Sequence, residues 1–296
     1  MPNPTFTWKK AGDEFSFDDS LHGRYMLYHD SFGAAPSHRF EERGALQDGS
    51  TDKGYRLDPR IITVGIAIEG QDLSDLYAKR RELIEMFKPD DIAGIVHVEI
   101  DGNAYEIEGY VVDGLQFAAA DRKYLYQKIG ISIKCPDPTW YDPIVNQVSF
   151  VLGGGGAGFA VPMPVPFNVG ASNAEGSYVI NYVGDTRSYP VIVITGPVTN
   201  FVIMNKTSGD KLDFAGFTLA VGKTMTIDTR YGYKTITDEL GTNLIDKLTS
   251  DSDLATFAIL PHPTVMNGVN SFYVSGENIS AATSVGLQFY DRFIGI

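Results

Sequence analysis

Apolar and polar side chains alternate along much of this chain, and the alternation marks strands. Ile62, Val64, Ile66 and Ile68 point one way, with Thr63, Gly65 and Ala67 between them. Val96, Val98 and Ile100 alternate with His97, Glu99 and Asp101, and Asp101-Gly102-Asn103 then turns the chain back into Tyr105 and Ile107. Glycine and asparagine tolerate the positive φ of a tight turn, so this segment predicts a hairpin. Leu125–Cys135 predicts a further strand. Between Asp72 and Lys88 the period changes: Leu73, Leu76, Tyr77, Leu83, Ile84 and Phe87 fall at helical spacing. Asp72 or Ser74 caps that helix and Pro89 stops it, because proline cannot extend the hydrogen-bond ladder. The whole apolar face is expected to be core. His22–His38 is expected to be loop.

The composition shifts abruptly near position 153. Gly153–Gly158 is flexible, and Val161-Pro162-Met163-Pro164-Val165-Pro166 is stiff and lacks regular donors. This divides the chain into a first domain over 1–150, a Gly/Pro-rich linker or extended loop over 151–176, and a second domain over 177–296. The second half has short apolar runs at Val191–Thr195, Phe201–Met204, Phe217–Val221, Thr224–Asp228, Thr256–Leu260, Ser271–Ser275 and Ser284–Tyr290. Turn residues at that spacing predict an all-β sandwich. The fold class is thus mainly β: a β-sandwich-like sheet with one helix, then a β-sandwich.

Length and composition are those of an ordinary globular protein, with 296 residues, 43% hydrophobic and 21% charged. The net charge is −13. Up to Phe150 there are 16 basic and 25 acidic residues (−9), and after it 8 and 12 (−4). Neither half is basic, so neither is built to grip a phosphate backbone. The lone Cys135 excludes an internal disulfide and any zinc site built on several cysteines. No run approaches the roughly 20 apolar residues of a membrane helix, and Met1–Lys10 lacks the basic and apolar regions of a signal peptide. Production in a reducing cytoplasm is expected.

Few residues carry a spacing that points to chemistry. Gly153, Gly155 and Gly158 satisfy G-x-G-x-x-G but lead into prolines, whereas a dinucleotide site requires a helix N-terminus there. The histidines His22, His29, His38, His97 and His262 have no metal-ligand spacing and are expected to face solvent. There is no G-x-S-x-G nucleophile turn. Asp251-Ser252-Asp253 and Asp48–Asp52 lack the full oxygen set of a calcium loop and are expected to be Asx-type turns. No catalytic, cofactor-binding or metal-binding residue is assigned, and no cofactor is expected.

The order of several short segments resembles the distal tail proteins of long-tailed bacteriophages. They are Arg80–Pro89 with the hairpin after it, Cys135-Pro136-Asp137-Pro138-Thr139-Trp140-Tyr141, and Asn181, Gly184, Asp185 and Pro190. Asn205-Lys206-Thr207-Ser208-Gly209, Gly222 with Met225, Ile227 and Asp228, and Leu248 with Asp251–Asp253, Phe257 and Leu260 complete the series. The chain departs from the pattern at His262–Asn267 and is long over 153–176. The resemblance implies a non-enzymatic virion protein of the phage tail tip, assembled in the host cytoplasm. It implies a homo-hexamer whose first domain forms the ring, and a second domain of galectin or carbohydrate-binding-module type. The implied partners are the major tail tube protein on one side and hub, fibre or receptor-binding proteins on the other. DNA passes through such a ring without specific binding, and no membrane insertion is implied. A competing reading, a sugar-binding module or adhesin, requires polar residues and an aromatic platform on one face. The sequence does not assemble that set from Tyr231 and Tyr233. A glycan-cleaving enzyme requires two placed carboxylates, and none stands out.

Overall fold

The computed structural model describes residues 4–30, 32–151 and 174–296. Its chain is mainly β and falls into two compact units, Met1–Pro143 with Phe293–Ile296, and Ile144–Arg292.

In the first unit an antiparallel path runs through Asp13–Ser16, Thr5–Lys10, Gly94–Ile100, Asn103–Val111, Tyr126–Cys135, Arg60–Glu69 and Arg24–Asp30. The sheet turns a corner at Asn103–Val111, whose last residues Tyr110 and Val111 pair with Lys134 and Ile133. The expected hairpin forms, with Asp101 and Gly102 at φ 52° and 82° as its turn. Ile62, Val64, Ile66 and Ile68 enter the core as their alternation predicts. Gly65 and Ala67 on the opposite face are buried too. The Tyr28 ring lies so close over Gly65 that any Cβ there would collide with it.

The helix Leu73–Met86 begins where expected: Asp72 accepts from the Asp75 backbone N–H at 2.8 Å, and Asp75 accepts from that of Gln71 at 2.8 Å. Its buried stripe is narrower than the sequence suggests. Leu76, Leu83 and Phe87 are sealed, whereas Leu73, Tyr77 and Ile84 are exposed. A helix resting on a sheet along one line buries little more than one residue per turn, so the side chains flanking that line stay in water.

The first 60 residues depart most from expectation. The strand Arg24–Asp30 occupies much of the stretch expected to be loop, and Ser37–Glu42, which begins at its end, pairs with Thr51–Leu57 as a separate two-stranded sheet.

The second unit has two antiparallel five-stranded sheets. One runs Asn146–Val151, Ser284–Phe289, Val191–Thr195, Thr224–Asp228, Thr235–Asp238. The other runs Ala174–Asn181, Val269–Glu277, Val198–Asn205, Lys211–Asp213, with Thr218–Leu219 beside Val198–Asn205. One core joins Ile192, Ile194, Met225 and Leu287 of the first to Phe201, Ile203, Phe272 and Val274 of the second. Asn146–Val151, placed by composition at the end of the first domain, is hydrogen-bonded to Ser284–Phe289 within this unit. Thr256–Leu260 forms no ladder strand. Phe257 through Leu260 are all buried, so no face alternates, and the segment's one sheet-like contact is the bridge from Ile259 to Ser188. Most of the Gly/Pro-rich segment, from Leu152 to Asn173, lies outside the described residues.

Candidate assembly surfaces

The described residues gather no group of three or more side chains able to hold a metal ion. Cys135 is fully buried, and desolvation pushes its thiol up to about 12, which leaves no thiolate at neutral pH. His97 does not face solvent: its Nδ1 lies 2.9 Å from Glu106 Oε1 and its side chain is largely covered. His22 sits 2.6 Å from Asp19, and His29 stacks on Phe32 at 4.5 Å. Both acidic runs are turns. Asp52 Oδ1 accepts from the Gly54 N–H, and Asp251 takes Thr249 Oγ1 at 2.6 Å beside the Lys211 ammonium.

The Pro136–Tyr141 segment is anchored in the first unit's core. Asp137 Oδ1 accepts from the Thr139 hydroxyl at 2.7 Å and from its backbone N–H at 3.2 Å, folding the segment after its prolines. Trp140 is thereby delivered into the core, edge-on to Phe32 at 5.3 Å. Beside it lies Arg60, also fully buried, its guanidinium 5.8 Å from the Trp140 ring. Arg60 donates to the carbonyl oxygens of Pro138 at 2.9 Å, Gly33 at 2.9 Å and Ile294 at 2.5 Å. A buried cation is tolerated only where its donors are satisfied. Here the acceptors come from three separated stretches, so Arg60 ties the chain's last residues into the first unit. The Ala35 N–H donates to Ile294 O at 3.1 Å and the Ile296 N–H to Phe32 O at 2.9 Å, which reinforces the tie.

Two surfaces of this unit are left uncovered. In the hairpin Ser37–Glu42 with Thr51–Leu57, every residue but Gly54 and Leu57 is exposed. Among the described residues its side chains are held by cross-strand contacts. Arg39 pairs with Asp52 at 2.7 Å and Lys53 with Glu42 at 2.6 Å, and the Arg56 guanidinium lies 5.5 Å over the Phe40 ring. Exposed ion pairs of this kind contribute little, and a two-stranded sheet without a core is marginal by itself. The second surface is the outer flank of the helix. Arg80 lies over the rings of Tyr77 at 5.4 Å and Phe117 at 4.3 Å, and Arg122 donates to the Tyr77 hydroxyl at 3.2 Å. Sequence reasoning placed Tyr77 and Ile84 in the core and missed both surfaces, because nothing in a two-faced polar hairpin alternates.

Residues 31–148 match the family model of the phage tail protein RIFT-related domain. The fold of the whole chain is that of the Dit protein (gp 19.1) of phage SPP1, described as a paradigm of the hub adsorption apparatus in phages infecting Gram-positive bacteria. Identity is 13%, coverage 97% of this chain and 99% of that one, and the TM-score 0.67. A chain of the phage P2 baseplate in its activated conformation aligns at 10% identity over 97% and 98% of the two chains, with a TM-score of 0.48. No curated protein sequence matches. The matched family and the SPP1 protein are structural tail components, not enzymes; the chain is similar to the former over residues 31–148 and to the latter in its fold.

Proposed function

We propose that the chain is the distal tail adaptor of a long-tailed phage, a homo-hexameric ring formed by its first unit. The ring joins the major tail tube protein to hub, fibre or receptor-binding proteins in the virion's tail tip, after assembly in the host cytoplasm. The observation that carries this reading is the two-stranded hairpin Ser37–Leu57. It lies within the matched tail domain, exposes Phe40 and Tyr55, and has no apolar layer of its own. A neighbouring copy seated against it would supply that layer. The Arg24–Asp30 strand is a second open element: among the described residues its ladder is with Arg60–Glu69, and beyond that only Arg24 bridges to Asp19. Head-to-tail contacts of this heterologous kind close into rings when the rotation per copy allows. The acidic surplus in the first 150 residues suits a wall past which DNA moves, since like charge repels the duplex and no counterions are released. The second unit, a β-sandwich, then carries the contacts to tail-tip proteins, whether or not it is of galectin type. Native mass spectrometry of the purified chain tests the ring: six copies are expected, and a stable monomer at high concentration would remove the basis of the proposal.

A further inference from the structure

The second unit holds a cation-and-aromatic patch that the assembly reading leaves unused. After the strand Thr224–Asp228, Gly232 at φ 85° and Lys234 at φ 46° fold the loop back on itself. The Tyr231 ring meets Tyr189 edge-on at 4.7 Å, and the Lys234 ammonium lies 4.9 and 5.0 Å from the two ring centroids. Arg230, held by Asp228, covers Tyr233 at 4.5 Å, and the Arg292 guanidinium lies 5.9 Å from Tyr189. Tyr231 and Tyr233 remain 68% and 60% exposed.

This is where the unit's positive charge is concentrated. Residues 151–296 contain eight Lys and Arg; Arg187, Lys234 and Arg292 gather around Tyr189, and Arg230 covers the nearby Tyr233. Lys234 donates to the carbonyls of Leu254 at 3.2 Å and Ala255 at 3.1 Å. Among the described residues no carboxylate forms an ion pair with Lys234 or with the exposed Arg187. In a chain of net charge −13, two cations outside any direct ion pair, close to exposed rings, suit an anionic ligand.

The patch continues into a cavity of about 380 Å³. Arg187 lines it, as does Thr256, which follows the two carbonyls that hold Lys234. The remaining polar walls are the hydroxyls of Thr207, Ser208 and Thr264 and the carboxylate of Asp210, which accepts from Thr256 at 2.9 Å. Hydroxyl and carboxylate walls suit a polyol, whose hydroxyls both donate and accept. Exposed tyrosine rings suit the C–H face of a sugar, and the guanidinium and ammonium suit an acidic substituent. An acidic peptide fits less well, because it has no hydroxyls for that wall and would set a carboxylate against Asp210.

We infer that the cavity beside Arg187, with the Tyr189–Tyr231–Lys234 platform, binds an acidic saccharide. The inference rests on the second unit alone and holds whether the chain is a ring or a monomer. Calorimetric titration of the intact protein at about 0.15 M salt tests it with four probes. Two are acidic saccharides: a hexasaccharide of alternating glucuronate and N-acetylglucosamine, and glucose 1-phosphate. The other two are maltohexaose and hexaglutamate. Saturable binding of one of the acidic saccharides is expected, and which one binds identifies carboxylate or phosphate as the acidic group. Maltohexaose and hexaglutamate should bind at least about tenfold more weakly, a difference of about 1.4 kcal/mol. Tyr231→Ala and Arg187→Ala should each weaken binding about tenfold with an unchanged melting temperature, since both side chains are exposed. Absence of binding by both acidic saccharides overturns the inference. So does equal binding of hexaglutamate, which would make the patch a peptide site, or of maltohexaose. Binding that both substitutions leave intact overturns it too, because the site would then lie elsewhere.

Discussion

Asn205 and Asn270, both fully buried, are joined through Asn205 Nδ2 and Asn270 Oδ1 at 3.2 Å, 65 residues apart in the chain. Asn205 also donates to the Ala258 carbonyl at 2.9 Å and accepts from the Thr207 N–H at 3.0 Å. Asn270 donates to the carbonyls of Leu260 and Gly268 and accepts from the Leu260 N–H. The pair gives Phe257–Leu260 the backbone partners that a sheet would otherwise supply. That is why a buried segment can do without a ladder.

Asn270→Ala should therefore destabilise the second unit by about 1–3 kcal/mol for each buried group it orphans. Chemical denaturation of the variant checks this. A midpoint equal to wild type would show that Phe257–Leu260 is held by other means.

The helix separates packing from surface along its own length. Phe87 lies among Trp8, Phe15 and Phe17, with ring centroids 5.9, 5.2 and 5.7 Å away. Phe87→Ala should cost about 3–5 kcal/mol. Ile84→Ala, on the exposed flank, should shift the stability of the isolated chain by no more than about 0.5 kcal/mol. Thermal melts of the two variants should differ accordingly, and equal losses would place Ile84 in the core.

Removal of Phe293–Ile296 should destabilise the first unit, although those residues lie at the opposite end of the sequence. The deletion takes away the Ile294 carbonyl, to which both the buried Arg60 and the Ala35 N–H donate, at about 1–3 kcal/mol for each buried donor left unpaired. A fragment ending near Tyr141 lacks the same clasp and should melt below the full chain. Hydrogen exchange at Gly33–Ala35 reads the effect locally, and unchanged protection there would contradict it.

Acid should loosen the Lys211–Asp251 contact. The Lys211 ammonium, and after it the Thr249 hydroxyl, hold the Asp251 carboxyl at about 2 against an ordinary 3.8. A depressed carboxyl contributes stability above its unfolded value and loses it as pH falls from 3.8 towards 2. Asp251→Asn should flatten that part of the pH–stability curve and leave the region above pH 5 parallel to wild type. A curve that keeps its full acid slope would assign it to other carboxylates.

Much of the fold was legible because burial on one face leaves a period. Ile62–Ile68 and Val96–Ile107 alternate, and the Asp101-Gly102 turn needs no tertiary information. The hairpin Ser37–Leu57 was not legible, since both its faces are wet and neither writes a pattern. Tyr77 and Ile84 were over-read because helical spacing shows which side chains share a face, not how wide a stripe the sheet covers. The Arg60 clasp was invisible for a different reason. It binds backbone carbonyls, Ile294's among them 234 positions away, and carbonyl placement leaves no trace in side-chain identity. The cavity by Arg187 escaped likewise, since Tyr189, Tyr231 and Lys234 converge only through left-handed turns of the loop.

The central claim is that the first unit closes into a ring. Native mass spectrometry of the full chain, alongside a variant carrying Phe40→Asp and Tyr55→Asp on the uncovered hairpin, addresses it most directly. Six copies are expected for the wild type and a folded monomer for the variant, because charge on that hairpin would be buried unpaired at a copy-to-copy contact. A wild-type monomer, or a hexamer that survives both substitutions unchanged, would contradict it.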